Sequence, residues 1–266
     1  MSNTGCRPRH RGLMNGTATG SLCLAGALIW ILSAMPALSP AAEEQAQSVV
    51  SDADAVRFPS DSYGMEVTIT NRKKNADDDV RGYRVLVKDR NTTLIKFISP
   101  ATERGKAVLG LNNDIWIYLP DAGMAVRIPP QQRLVGNVAV GDIARAAFAG
   151  DYRAEIASIT TYDGKPCYVL DLKARDDSVT YQRVKYWVHR ETHQPLKAEF
   201  YTDSRMLLKT AYYEAYAETL GRLRPARLRI VDGIRNDLVS ILEYRDMKLE
   251  TLPAKIFNKN YLKRLD

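Results

Sequence analysis

The chain has 266 residues, of which 45% are hydrophobic and 26% charged, with 38 basic side chains against 31 acidic ones. The two signs are interspersed, so the mild positive balance describes an ordinary soluble surface and argues against nucleic acid as a partner. Only three cysteines are present, which excludes a disulfide scaffold and leaves the fold to rest on its own core.

The first segment has the plan of a secretory signal peptide. Arg7, Arg9, His10 and Arg11 make a basic start, and the run LCLAGALIWILSAM from Leu22 to Met35 is apolar and closed by Pro36 and small residues. That run falls short of the roughly 20 apolar residues a spanning helix needs. Cleavage is expected near Ser39–Ala42, giving a signal peptide over 1–42 and one domain over 43–266. Gly20-Ser21-Leu22 before Cys23 is a poor lipobox, since Leu22 stands where a small residue belongs, so soluble export is expected. Cys6 and Cys23 leave with the signal, and Cys167 is then alone. The signal holds three of the 38 basic residues and no acid, so 35 basic face 31 acidic side chains in the remainder.

After the signal, Val49, Val50, Ala53 and Val56 fall at helical spacing, and Pro59 and Gly64 end the element. The period then changes to two. GMEVTIT places Met65, Val67 and Ile69 on one face, and NRKKNADDDVRG is a polar turn. YRVLVKD, TTLIKFIS, GKAVLGL, IWIYL and MAVRIP follow at the spacing of an antiparallel meander. Within it, Ile115 to Leu119 is apolar without alternation, so both faces of that strand must be covered. Pro129-Pro130 breaks the meander. A Gly- and Ala-rich insert follows as far as Ile156, with one amphipathic segment at about Val140 to Phe148. Strands resume at KPCYVLDLKA and continue to LVSILEYRDMKLE, before the short final turn or helix of FNKNYLKRLD. The expectation is a mainly β (α+β) domain on one large antiparallel sheet of about eleven strands. Periodicity admits a strongly curved sheet packed on helices or a ligand, and equally a β-sandwich with an ordinary core.

The usual signatures of catalysis are missing. His189 and His193 are four apart, but the order His-Arg-Glu-Thr-His lies between two strands before Pro195 and reads as a hairpin connection, with no metal expected. Cys167 has a turn and an apolar strand as neighbours, which fits an inert buried thiol. No Gly-x-Ser-x-Gly elbow or Gly-rich phosphate loop occurs, so no catalytic residue and no cofactor is expected. Asp77, Asp78 and Asp79 read as a solvated hairpin tip. Arg227 and Arg229 alternate with Leu228 and Ile230, and their shared wet face is a candidate contact for an anionic headgroup or an acidic partner.

The stretch LIKFISPATERGKAVLGLNNDIWIYLPDAGMAVRI, together with DGKPCYVLDL, WVHRETHQPLKAEFY and FNKNYLKRL in that order, resembles the LolA-like outer-membrane lipoprotein-sorting family in its uncharacterised branch. The likeness spans about Glu43 to Asp266. It implies an unclosed antiparallel β-barrel (a half-barrel of the LolA, LolB and RseB type) wrapped round helices, in the periplasm, with a concave apolar cavity for acyl chains. The implied role is a non-enzymatic carrier or chaperone for a lipid or lipoprotein, with an inner-membrane exporter as a possible partner. The alternative is a lipid-sensing regulatory or assembly module docked on a transporter or sensor. A monomer is expected. Alternation then nominates Val67, Ile69, Val85, Val87, Ile95, Phe97, Leu109, Ile117 and Leu119 as cavity lining, in an assumed register that a one-residue slip would invert. The segment from Leu134 to Phe148 keeps a Gly-x-x-x-x-Gly-Asp spacing at Gly136, Gly141 and Asp142 but lacks the family's aromatics. Its Val138, Val140, Ile143 and Phe148 are candidate lid residues.

Overall fold

The computed structural model describes residues 40–234 and 237–264; the expected signal peptide lies outside them up to residue 39. The first element is helix α1 (Pro40–Arg57), followed by β1 (Tyr63–Lys73), β2 (Asp79–Asp89), β3 (Thr92–Ser99), β4 (Ala107–Leu111), β5 (Asp114–Leu119) and β6 (Met124–Ile128). Next come β7 (Arg133–Val135), β8 (Val138–Ala139) and the one-turn α2 (Gly141–Ala144). The remaining strands are β9 (Tyr152–Tyr162), β10 (Lys165–Ala174), β11 (Arg183–His189), β12 (Pro195–Tyr201), β13 (Leu207–Thr219), β14 (Arg222–Asp232) and β15 (Leu238–Leu249), and a 3₁₀ tail over Ala254–Phe257 and Lys259–Arg264 closes the order.

Thirteen strands make one antiparallel sheet in the order β6-β5-β4-β3-β2-β1-β15-β14-β13-β12-β11-β10-β9, and β7 and β8 form a separate hairpin. The meander is therefore two runs of neighbours joined where the first strand meets the last, with Val67 opposite Tyr244 and Ile69 opposite Leu242. The sheet is not closed: β6 and β9 are its two edges. It exceeds the expected eleven strands. The expected insert extends to Ile156, yet β9 pairs with β10 through ten residue pairs around the Asp163-Gly164 turn, where both residues have positive φ, as in a type I′ hairpin. The amphipathic segment expected over Val140 to Phe148 is helical only across the four residues of α2.

Side chains from strands on both sides of the sheet join one core, so the sheet curls around α1. That helix buries Ala46, Val49, Val50 and Ala53, the i, i+3, i+4, i+7 stripe of an amphipathic helix. Its last carbonyls would be orphans, and the Arg224 guanidinium satisfies two of them by donating to the oxygens of Ala55 (3.0 Å) and Val56 (2.9 Å). The chain between β6 and β9, residues 129–151, leaves one edge of the sheet and returns at the other. On the way it packs Val135, Val138, Val140, Ile143 and Phe148 into the same core.

A second, smaller core lies on the opposite, convex face. Leu94, Ala107 and Leu109 meet Phe257 and Leu262 of the tail there, with Trp116 and Tyr118 packed alongside. The unalternating strand β5 is thus explained: Ile115 and Ile117 belong to the concave core, while Trp116 and Tyr118 lie under the tail.

Candidate functional site

The concave face holds a cavity of about 330 Å³ between the C-terminal half of α1, the strands β1 to β3, Tyr244 and the crossover around Ile143 to Ala149. Its walls include Phe58, Met65, Val87 and Ala144, and Asp61, Asp89 and Arg90 stand at its exposed rim.

One buried carboxylate fixes the wall between helix and crossover. Asp54 accepts hydrogen bonds from the backbone N–H groups of Phe148 and Ala149, both at 2.7 Å. Arg57 approaches its other oxygen, Oδ1, at 3.4 Å, and Arg90 reaches the first, Oδ2, from the rim at 3.9 Å. Burial pushes the Asp54 carboxyl above its ordinary range, against the pull of Arg57 and the two backbone donors. The Arg57 guanidinium is itself enclosed by rings, 4.6 Å from Phe58, 5.0 Å from Phe148 and 5.4 Å from Tyr213, a cation–π setting that repays part of its desolvation.

A second buried ion pair holds the start of the crossover. Asp142 pairs with Lys209 of β13, accepts the Tyr181 hydroxyl at 2.8 Å and accepts the Ala139 N–H at 2.7 Å. Lys209 also donates to the Asn137 carbonyl at 3.2 Å. Burial pulls the Lys209 ammonium down, and Asp142 opposes this. The Gly136–Gly141–Asp142 spacing now has a local cause. Gly136 has φ +53, and a Cβ there would fall 1.8 Å from Asn71 Oδ1; one at Gly141 would fall 1.9 Å from Thr180 Oγ1. Both glycines permit close approach, and the aspartate follows where Lys209 and Tyr181 converge.

The structure spreads the nine nominated lining residues over more than one environment. Val67, Ile69, Val85, Ile95 and Phe97 are in the concave core, and Ile117 packs against it half-buried. Val87 lines the cavity directly. Leu119 pairs with Met124 at the β6 edge and belongs to neither core. Leu109 faces the other way: β4 is one residue out of the assumed register, so its neighbour Val108 points into the concave core and Leu109 lies under the tail. Met65, which shares a face with Val67 and Ile69 and is not among the nine, also lines the cavity. Asp54 and Arg57 were missed too; their signal was an acid and a base three apart beside the apolar stripe of α1. Of the candidate lid residues, Val138, Val140, Ile143 and Phe148 are all buried in the concave core.

The polar candidates sit elsewhere. Arg227 is exposed on the convex face, opposite Glu214 and Glu243. Arg229 donates to Glu214 at 2.8 Å and lies 4.2 Å above the Tyr212 ring. The His189 ring nitrogen Nδ1 accepts the N–H groups of Glu191 and Thr192, both at 3.2 Å, inside the β11–β12 turn. His193 approaches Asp52 of α1 at 3.0 Å. Cys167 is buried, and burial pushes its thiol up. Asp78 and Asp79 pair with Arg72 (3.2 Å) and Arg81 (3.0 Å) around the β1–β2 tip.

A LolA superfamily protein from Nitrosomonas europaea is similar over 81% of this chain and 98% of its own length, with 42% identity and a TM-score of 0.78. The chain belongs to the LolA superfamily. A family model described as an uncharacterized protein matches residues 89–264, and no curated protein matches. Two more distant structures share the LolA-like fold. One is a putative outer membrane lipoprotein-sorting protein domain from Vibrio parahaemolyticus, with 21% identity, 84% of this chain and 100% of that one covered, and a TM-score of 0.70. The other is a DUF1329 family protein from Desulfovibrio piger, with 19% identity, 83% and 99% covered, and a TM-score of 0.72.

Proposed function

We propose that the chain is a periplasmic, non-enzymatic carrier that holds an acyl chain of a lipid or lipoprotein in the concave cavity, serving outer-membrane lipoprotein sorting or envelope lipid transport. The observation that carries this reading is the cavity itself: a mainly apolar space beside α1, with Asp54, Thr93 and Asp142 also on its wall and a polar rim, in a sheet that does not close. Its volume of about 330 Å³ lies at the low end of small-molecule pockets. At about 0.8 kcal/mol per methylene, an acyl chain burying about twelve of them would gain roughly 10 kcal/mol before the costs of association. Binding of that kind needs no reactive group, which accords with a sequence that offers none. The acyl chain would come from a donor such as an inner-membrane exporter and leave to an acceptor.

The test is to purify the protein without detergent, extract it for lipid mass spectrometry and titrate the emptied protein with a fluorescent fatty acid. Stoichiometric acyl ligand or saturable uptake is expected. In Val87→Trp, where a large ring enters the cavity from a half-buried position, uptake should fall at least tenfold with the fold retained. A protein that is empty as purified and takes up no fatty acid would sink the carrier reading.

A further inference from the structure

Several hydroxyls buried under the concave face are used by the protein itself. Tyr152 donates to the Tyr181 carbonyl at 2.8 Å, Tyr181 donates to Asp142 at 2.8 Å, and Ser240 donates to Asn71 at 2.6 Å. Two on the cavity wall are not. Tyr63 and Thr93 are each 3% exposed and both line the cavity, yet neither hydroxyl has a hydrogen-bond partner among the described residues. Tyr83 and Tyr186 also carry unpartnered hydroxyls, but these are enclosed in the core and lie outside the cavity wall. A buried hydroxyl without a partner is destabilising, and two of them on the wall of one space call for an acceptor within it.

The register sets the two in one row. Tyr63 of β1 pairs with Val87 of β2, and Val87 pairs with Thr93 of β3. Strands spaced by ~4.8 Å put the Cα atoms of Tyr63 and Thr93 about 10 Å apart, with Val87 between them. Asp61 and Asp89, each two residues along the chain from this row, stand at the rim. The row therefore lies just inside the mouth, and Met65, Ile143 and Ala144 supply apolar wall. We propose that this row reads the carbonyl group of the ligand: an acyl chain lies over Val87, its carbonyl oxygen accepts from the Tyr63 and Thr93 hydroxyls, and its methylenes pack against Met65 and Ile143. A carbonyl oxygen has two lone pairs and accepts two such bonds. Burial pushes the Tyr63 hydroxyl above its ordinary value, against the pull of Arg57, so it keeps its proton and remains a donor at neutral pH. The inference rests on the carrier reading and narrows it. An alkyl ether lacks the carbonyl oxygen, so the cavity selects acyl over alkyl ligands.

The test sets methyl dodecanoate against methyl dodecyl ether, which share a skeleton and differ in the carbonyl oxygen. Each competes for the cavity of the emptied protein with N-phenyl-1-naphthylamine, a neutral fluorescent probe that has no carbonyl. The ester should displace the probe at about twofold to tenfold lower concentration than the ether, the discrimination expected of neutral hydrogen bonds. Tyr63→Phe and Thr93→Val each remove one hydroxyl and keep the shape. Each should narrow the preference and the double variant should erase it, with the affinity for the ether unchanged. Neither should lower the urea midpoint, because the hydroxyl removed has no partner in the protein; a purely structural role would lower the midpoint and leave the preference. Ester and ether that compete equally in the unaltered protein, a comparison that needs no variant, would overturn the inference and leave the carrier reading standing. So would a preference that survives in the double variant. If probe, ester and ether all fail to bind, both readings fall.

Discussion

The two halves of the sheet are built under different solvents. In β2 to β5 both faces are covered, the concave one by α1 and the crossover and the convex one by the tail. The strand β4 is accordingly buried at four positions in a row. In β11 and β12 only the concave face is covered, and burial alternates strictly along β11, with Val184, Tyr186 and Val188 inside and Lys185 and Trp187 outside. The same antiparallel ladder thus yields two sequence patterns, and the difference is a second layer contributed by the last residues of the chain. Unalternating hydrophobicity in one half reports that layer and carries no information about a ligand.

If the concave layer is common to both halves and the tail serves only one, damage should rank accordingly. The largest loss is expected for Asp142→Ala, which strands the buried Lys209 ammonium and frees the crossover from β13. Removing one partner of a buried pair costs about 3–5 kcal/mol, measurable as a fall in the urea midpoint. Asp142→Ala combined with Lys209→Met should recover part of that loss, since no unpaired charge then remains. A double variant as unstable as the single one would show that Asp142 acts through Tyr181 and Ala139 rather than through the ion pair.

Next should come Leu262→Ala. Leu262 is fully buried against the convex face of the first half, and a buried leucine truncated to alanine costs about 2–5 kcal/mol. A loss below about 1 kcal/mol would mean that the tail merely rests on β3 to β5, and the two-sided pattern of β5 would need another cause.

The parts that were legible in the sequence are those where one surface decides. α1 could be read because a single stripe is buried, and β1 because Met65, Val67 and Ile69 share a face. Register on β4 could not be read, because Val108 and Leu109 are both apolar and both buried, so alternation carries no sign. β9 was partly hidden for the opposite reason: its second half is exposed on both sides, and its first half follows a Gly-Ala-rich run that resembles a loop. The cavity was the least legible feature. Its wall comes from α1, four strands and the crossover, and the groups that fix it, Asp54 with the backbone of Phe148 and Ala149, are 94 and 95 residues apart. Neither periodicity nor spacing encodes a meeting of that range.

The smallest effect is expected on the open face of the second half. Trp187 lies outside the concave core, opposite Lys197 on β12 and Val169 on β10. Its ring takes the Lys197 ammonium at 4.5 Å and Lys185 at 5.5 Å. No second layer covers it among the described residues, so Trp187→Ala forfeits a partly hydrated ring and a half-buried cation–π contact, together worth about 1 kcal/mol. A total loss of about 1 kcal/mol is therefore expected, several times smaller than for Leu262→Ala although tryptophan is the larger side chain. The ratio of the two shifts in urea midpoint is the sharpest check on the comparison. Equal losses would mean that the convex face is as deeply packed in the second half as in the first, and the contrast between the halves would fall.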